Sequence, residues 1–448
     1  MTDTTSAGAR SNKLPSDRLE TKFKDKNPLY TRGEAITEAN RCIYCVDAPC
    51  VSACPTGIDI PTFIHKIATD NVKGAARTIF DANLLGYSCA RVCPVEVLCA
   101  GSCVYNEWGR APIEIGRLQR YATENALGMA PDLVARKKAS ATGKRIACIG
   151  AGPASLAVAG HLALDGHAVE IFEQRTVGGG LNTTGVAPYK LMAEDSLKEL
   201  EFIIGLGDIT VRTGAKVVAG EAGEGEVSTA SLITQFDAVF IGIGLGPDNF
   251  LGVDGEEGAG VVGATAYIER LKLDPEANLE GIRTVLVVGG GNTAIDIARE
   301  LALLGVPDVA MVYRRTADVM SGYAHEMDGA RREGVRLIEN RQPTAVLRTD
   351  DGQLTGLRVK ATDGNLEETL EADLVALAIG QSRLTQLAEA FDGVALDDKG
   401  RVVVDEATCQ TGNPKVYAGG DCVNGGKEVV NAAQHGKLAA QAITNAVR

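Results

Sequence analysis

Residues 144–173 read KRIACIGAGPASLAVAGHLALDGHAVEIFE, and the fold follows from them. The opening run KRIACIG is short and apolar, and it ends in Gly150-x-Gly152-x-x-Ser155. A helical stretch continues to about Asp165, and a second strand over 168–172 ends at Glu173. This is the βαβ dinucleotide fingerprint. The first glycine makes the turn, the second lets backbone approach a pyrophosphate, and the helix N-terminus faces the phosphate charge. An acid at the end of the second strand can accept hydrogen bonds from a ribose. Ser155 departs from the usual small residue at the packing position.

The same pattern returns downstream. Residues 283–288 (RTVLVV) form a strand, Gly289-x-Gly291-x-x-Ala294 opens a helix to about Leu304, and the next strand, 309–313, ends in Arg314-Arg315. An acid there would repel a 2′-phosphate, whereas paired guanidiniums bind one, so this half reads as an NADPH site with NADH possible. The bland alternative is a solvated basic pair. Two nucleotide folds in one chain suggest a flavin domain with a pyridine-nucleotide domain inserted into it. Three other segments agree: Gly178-Gly179-Gly180-Leu181 after the first acid, the apolar runs 237–246 and 373–380 as crossover strands, and VYAGGDC (416–422) before a helix. That last motif brings Gly420 and Asp421 to a second ligand end, where a helix N-terminus would hold the ribityl chain and pyrimidine edge of FAD.

Upstream, eight of the eleven cysteines fall in two blocks. One is Cys42-x2-Cys45-x4-Cys50-x3-Cys54-Pro55, and the other is Cys89-x3-Cys93-Pro94-x4-Cys99-x3-Cys103. Thiolates this dense suit iron–sulfur clusters or zinc. Three at short spacing and a fourth before proline follow the ferredoxin pattern, whose last cysteine reaches the other cluster. Zinc pairs come instead as separated CxxC knuckles. Eight thiols suffice for two [4Fe–4S] clusters. Cys148, Cys409 and Cys422 stand alone, and with no CxxC after residue 150 a disulfide-reductase cycle is excluded. The five histidines are scattered and read as structural, and no side chain is expected to be catalytic.

The 448 residues carry a net charge of −13, which argues against nucleic acid or anionic membrane as partner. No apolar run reaches membrane-spanning length, and the polar N-terminus lacks a secretory h-region, so the expected compartment is the reducing cytoplasm. The expected fold class is α/β: two Rossmann-like nucleotide-binding domains, the NADP domain inserted in the FAD domain, preceded by an α-helical iron–sulfur domain. The expected boundaries are a flexible tail over 1–24, the cluster domain over 25–140, the FAD domain over 144–281 and 379–448, and the NAD(P) domain over 282–378. Helices are expected over 33–40, 60–70, 73–81 and 113–127, with a polar linker over 130–144.

CIYCVDAPCVSACPTGIDI, GYSCARVCP, CAGSC, GAGPAS, GGGLNTTGVAPYKL, GGGNTAIDIARELALLG, YRR and AGGD together resemble the flavin/iron–sulfur subunit of bacterial NAD(P)-dependent dihydropyrimidine dehydrogenase. More distantly the chain resembles the glutamate synthase small subunit and related NADPH:ferredoxin-type oxidoreductases. The resemblance spans roughly residues 25–445. It implies FAD, NADP or NAD, two [4Fe–4S] clusters, and a hetero-oligomer with an FMN-containing catalytic subunit that reduces uracil or thymine. It further implies FAD contacts at Gly150, Ala151, Gly152, Pro153, Ala154, Ser155, Glu173, Gly180, Leu181, Lys190, Gly420, Asp421 and Val429, Lys190 standing where related chains often carry Arg. NADP contacts are implied at Gly290, Gly291, Asn292, Thr293, Arg314 and Arg315. By counting thiols, Cys89 would complete the second cluster. The resemblance instead implies Cys42, Cys45, Cys50 and Cys103 for one cluster, and Cys54, Cys93, Cys99 and Gln119 for the other.

Overall fold

The computed structural model describes residues 14–127 and 133–448. Residues 1–13 of the expected tail over 1–24, and residues 130–132 of the expected linker, lie outside the described residues.

The cysteine-rich domain is built from short capped helices. Arg32–Ala39 starts with a capping box in which Thr31 Oγ1 accepts from Glu34 N–H and the Glu34 carboxylate accepts from Thr31 N–H at 2.8 Å. Ile60–Ala68 is capped by Asp59, whose carboxylate accepts from Thr62 N–H at 3.1 Å. It buries Ile60, Phe63, Ile64 and Ile67, the i, i+3, i+4, i+7 face of one helix. Val72–Ala82 follows, and Ile115–Leu127 closes the domain, burying its Leu118 and Ala122 in one core with Ile79. This last helix begins after Ile113, because an Ile115 N–H to Ile113 O turn precedes its first helical residue.

The nucleotide domains follow the two fingerprints. One parallel sheet has the order Val416–Ala418, Ala238–Ile241, Arg145–Ile149, Ala168–Glu173, Ile209–Thr213. The second has the order Arg336–Ile338, Asp308–Val312, Thr284–Val288, Leu374–Leu377, Val261–Gly263. Central strands are buried on both faces, hence their unbroken apolar runs. The chain passes between the sheets twice, and the two crossings run side by side. Gly246 N–H donates to Ser382 O, and Asn249 N–H to Gly380 O, each at 2.9 Å.

Two expectations are corrected. The strand Val261–Gly263 and helix Ala264–Leu273, expected in the first domain, belong to the second, because the strand pairs with Leu374–Leu377 and the helix packs in that domain's core. The insertion therefore opens near the first crossing rather than at residue 282. The expected tail is packed where it is described: Arg18 and Glu20 are fully buried. Arg18 Nε donates to Lys272 O at 2.7 Å, Glu20 accepts from Ala193 N–H at 2.6 Å, and the Lys272 ammonium donates to Val186 O and Leu191 O at 2.8 Å. Opposite charges that neutralise one another let this polar segment enter the interior between the two nucleotide domains.

Candidate flavin, nucleotide and iron–sulfur sites

A cavity of about 810 Å³ lies where the three domains meet. Gly150, Gly152, Pro153, Ala154, Glu173, Gly180, Leu181, Lys190, Asn292, Gly420, Asp421 and Val429 all line it, and so does Cys93. Its shape depends on two close approaches of backbone. A Cβ on Gly150 (φ +85°) would lie 2.7 Å from Gly242 O, and one on Gly180 (φ +57°) would lie 2.7 Å from Gly152 Cα. Glu173 is fixed by accepting Ala151 N–H and Arg175 N–H at 2.8 Å each, which holds its carboxylate at the cavity's far end. Helices Pro153–Leu164, Asn292–Leu303 and Val429–Val447 all begin here without a side-chain cap, so their first N–H groups remain available to an anion. At the other end His435 Nδ1 accepts Gly420 N–H at 3.0 Å, a structural role for that histidine. Burial pushes the Asp421 carboxyl up, while Lys427 N–H at 3.2 Å pulls it the other way.

Some expected residues stand off the cavity. Ala151 contributes through the N–H that holds Glu173, and Ser155 is buried with its hydroxyl against Gly242. Gly290 packs on the Tyr313 ring. Arg314 and Arg315 are exposed just past the strand Asp308–Val312, with no ion-pair partner among the described residues, and the Arg315 guanidinium rests 5.5 Å from the centre of the Tyr313 ring. Lys190 lines the cavity, yet its ammonium bonds to Asp296 Oδ1 at 2.6 Å and Glu326 Oε1 at 3.2 Å in the second domain. Sequence reading missed this network. Asp296 was within reach, since it lies one helical turn after Asn292 and therefore on the same face.

The cysteines separate into two sets. Cys42, Cys45, Cys50 and Cys103 line one small cavity, and burial together with Cys42 and Cys103 pushes the Cys50 thiol up to about 11. The second set centres on Cys93, raised by its hydrogen bond with Cys89 and by burial, with Cys99 and Cys54 adding to the effect. Burial, with Cys54 beside it, pushes Cys99 up to about 12. Thiols that oppose one another's ionisation in half-buried sites form a donor set that a positive cluster core would relieve, so the residues fit the group. Cys89 is buried and its sulfur accepts from Asn83 Nδ2 at 3.3 Å. Gln119, also buried, donates its amide to Gly86 O at 2.8 Å on the face packed against Gly86–Val92.

Fold and sites define a flavin oxidoreductase with an N-terminal iron–sulfur domain, one that transfers electrons. A model of dihydropyrimidine dehydrogenase domain II, 4Fe–4S cluster, matches residues 19–130, and a pyridine nucleotide-disulphide oxidoreductase model matches residues 144–436. The glutamate synthase [NADPH] small chain of Escherichia coli is 32% identical over 464 residues, 97% of this chain and 96% of that one. The NAD-dependent dihydropyrimidine dehydrogenase subunit PreT of Salmonella typhimurium is 34% identical over 417 residues, 93% of this chain and 95% of that one. Thioredoxin reductase of T. acidophilum shares the nucleotide-binding fold, with a TM-score of 0.55 at 23% identity over 67% of this chain and 97% of that one. The chain belongs to the pyridine nucleotide-disulphide oxidoreductase family, within the group of flavin/iron–sulfur subunits that holds these two relatives. Its cofactors are FAD, NADP and iron–sulfur clusters of the 4Fe–4S kind. No helix among the described residues is long and apolar enough to cross a membrane.

Proposed function

We propose that this chain is the NAD(P)H-oxidising subunit of a cytoplasmic dihydropyrimidine dehydrogenase, passing electrons through two [4Fe–4S] clusters to an FMN-containing partner that reduces uracil or thymine. One observation carries the electron route: Cys93 stands in the wall of the cavity that also contains Glu173, Gly180 and Val429. FAD held by these residues would supply the chemistry that couples a two-electron hydride donor to one-electron acceptors such as the clusters. The chain's own residues bind and orient. Gly150, Gly152 and the helix start at Pro153 receive the pyrophosphate, Glu173 the ribose, and Asp421 with the Val429 helix start the flavin end. Gly290, Gly291, Asn292 and Thr293 receive the second pyrophosphate, and Arg314 and Arg315 a 2′-phosphate. No side chain is asked to move a proton, and positioning supplies the rate.

For the clusters we assign Cys42, Cys45, Cys50 and Cys103 to one, and Cys54, Cys93, Cys99 and Gln119 to the other. Gln119 is supported by its burial against the helix that leads into Cys93, where its amide nitrogen donates to Gly86 O. Cys89 then serves as a small buried neighbour.

A second reading rests on the glutamate synthase small chain, which matches 97% of this chain. The same electrons would then reach a different partner. Purifying the chain with its native partner and assaying NADPH or NADH oxidation against uracil, and separately against glutamine with 2-oxoglutarate, decides between them. Uracil reduction by the complex but not by the isolated chain supports the first reading. Turnover of uracil by this chain alone overturns the partner hypothesis.

A further inference from the structure

The two nucleotide domains are joined covalently only by the paired crossings near residues 246–249 and 380–382, an arrangement that leaves the inserted domain free to pivot unless something else fastens it. Several contacts do so: Lys272 of the inserted domain donates to Val186 O and Leu191 O at 2.8 Å, Arg175 pairs with Glu269 at 3.1 Å, and two further fastenings meet at the start of the Asn292–Leu303 helix. In one, Lys190 and Tyr189 of the FAD domain meet the second domain. The Lys190 ammonium sits between Asp296 and Glu326, and the Tyr189 hydroxyl donates to the same Asp296 oxygen at 2.9 Å. Glu326 is shared further with Arg299 and with Lys26, at 3.3 Å, from the cluster domain. Burial pushes the Glu326 carboxyl up, but Lys190, Lys26 and Arg299 outweigh it and hold the group at about 2, so it stays a carboxylate. In the other fastening, the Tyr323 hydroxyl donates to Glu428 Oε1 at 2.6 Å, immediately before the helix Val429–Val447.

Both fastenings converge on one turn of helix. Asp296 is one turn beyond Asn292, the first residue of the helix opened by the second glycine loop, and Asn292 Oδ1 accepts Tyr323 N–H at 2.9 Å. On the function proposed above, that turn receives the nucleotide phosphates.

We propose that Lys190 is a positioning residue: through Asp296 and Glu326 it fixes the Asn292–Leu303 helix against the flavin cavity and so sets the approach of the nicotinamide to the flavin. This rests on the reading of the chain as an NAD(P)H:flavin oxidoreductase. It assigns Lys190 a role across the domain boundary, distinct from the direct flavin contact that the sequence suggests. A buried ammonium between two carboxylates has one good position, and a glutamine in its place leaves both carboxylates facing each other.

The test compares Lys190→Gln, Lys190→Arg, Asp296→Asn and the double variant Lys190→Gln/Asp296→Asn in the full chain with its cofactors. Three quantities are read: bound FAD, the limiting rate of flavin reduction by NADPH and NADH in anaerobic stopped flow, and hydrogen exchange over residues 186–191 and 320–333. Misplacing reacting groups by about 1 Å costs on the order of a hundredfold. Lys190→Gln should therefore keep its FAD and its nucleotide Kd, lose roughly ten- to a hundredfold in limiting rate, and exchange faster in both segments. Lys190→Arg should restore most of the rate. Asp296→Asn should reproduce the loss, with the double variant little worse than either single one. Loss of FAD with an unchanged rate in the flavin that remains overturns the proposal and makes Lys190 a flavin contact. Unchanged exchange overturns it as well. If wild-type flavin is reduced by neither nucleotide, the underlying reading falls, and hydrogen exchange still decides whether Lys190 fastens the domains.

Discussion

Replacing Arg314 with alanine should separate NADPH from NADH, and the structure sets how far. The backbone of the pair is pinned, with the Thr362 hydroxyl donating to Arg314 O at 3.0 Å and Asn340 N–H donating to Arg315 O at 3.2 Å. The guanidiniums themselves are exposed and free of carboxylates among the described residues, so neither must break an ion pair to take a phosphate. A hydrogen bond to a charged group contributes about 1.5–3 kcal/mol. Solvent and salt weaken that at an exposed site, leaving roughly 1–1.5 kcal/mol per arginine. Arg314→Ala should then weaken NADP+ binding about 5- to 12-fold and leave NAD+ within about twofold. Because the Debye length falls from about 10 Å at 0.1 M salt to about 3 Å at 1 M, the wild-type preference should shrink as salt is added, and the variant's, carried by Arg315 alone, should shrink by less. Titration calorimetry with the non-reducing NADP+ and NAD+ measures both effects. Equal losses with the two nucleotides, or a wild type that binds NAD+ as tightly as NADP+, would refute the arginine pair as the selector.

Anaerobically prepared chain should contain about eight iron and eight labile sulfide; Cys89→Ala should keep them, while Gln119→Leu should lower the occupancy of one cluster and Gln119→Cys should shift its potential. Loss of four irons in Cys89→Ala with Gln119→Leu silent reverses that assignment, and zinc in place of iron removes it. Gly180→Ala should release FAD while leaving the cysteine sets filled, since φ +57° with ψ −140° is glycine backbone and the added Cβ meets Gly152 Cα; such strain costs about 1–3 kcal/mol before the clash is counted, and retention of FAD at wild-type affinity would show that the two loops can separate. Glu199 is fully buried at the contact between cluster domain and FAD domain, accepting Tyr87 N–H at 2.9 Å and Ser88 N–H at 3.0 Å, and burial, against those hydrogen bonds, pushes its carboxyl up to about 7. The folded state then holds a proton that the unfolded state has released between about pH 4.5 and 7, so this group makes stability fall as pH rises through that window, by about 3 kcal/mol in total. Urea unfolding of Glu199→Gln should lack that slope, and an identical pH profile in the variant contradicts the account.

What the sequence disclosed and what it withheld divide along the range of the interactions. Both fingerprints were legible nearly to the residue because a turn glycine, an uncapped helix start and a terminal charge lie within about thirty residues of one another in a βαβ unit. The two cysteine blocks were legible for the same reason, whereas the sets draw on both blocks, with Cys103 joining Cys42, Cys45 and Cys50 and Cys54 standing beside Cys99. Membership of the Val261–Gly263 strand was not, because its partner, Leu374–Leu377, lies at the far end of the inserted domain and both runs are simply apolar. The burial of Arg18 and Glu20, and the partners of Lys190, were missed for a sharper physical reason. A charged residue is placed at the surface by default, and it enters the interior only when an opposite charge meets it there. The partners here are Lys272 for Glu20 and Asp296 for Lys190, far along the chain and on another domain. Composition around Arg18 was polar and read as mobile, yet the same polarity is what lets the segment join two domains through paired charges. The parts of the site that bind cofactors are thus written locally, in glycines and cysteines. The parts that hold one domain against another are written in charge pairs whose two halves become neighbours only on folding.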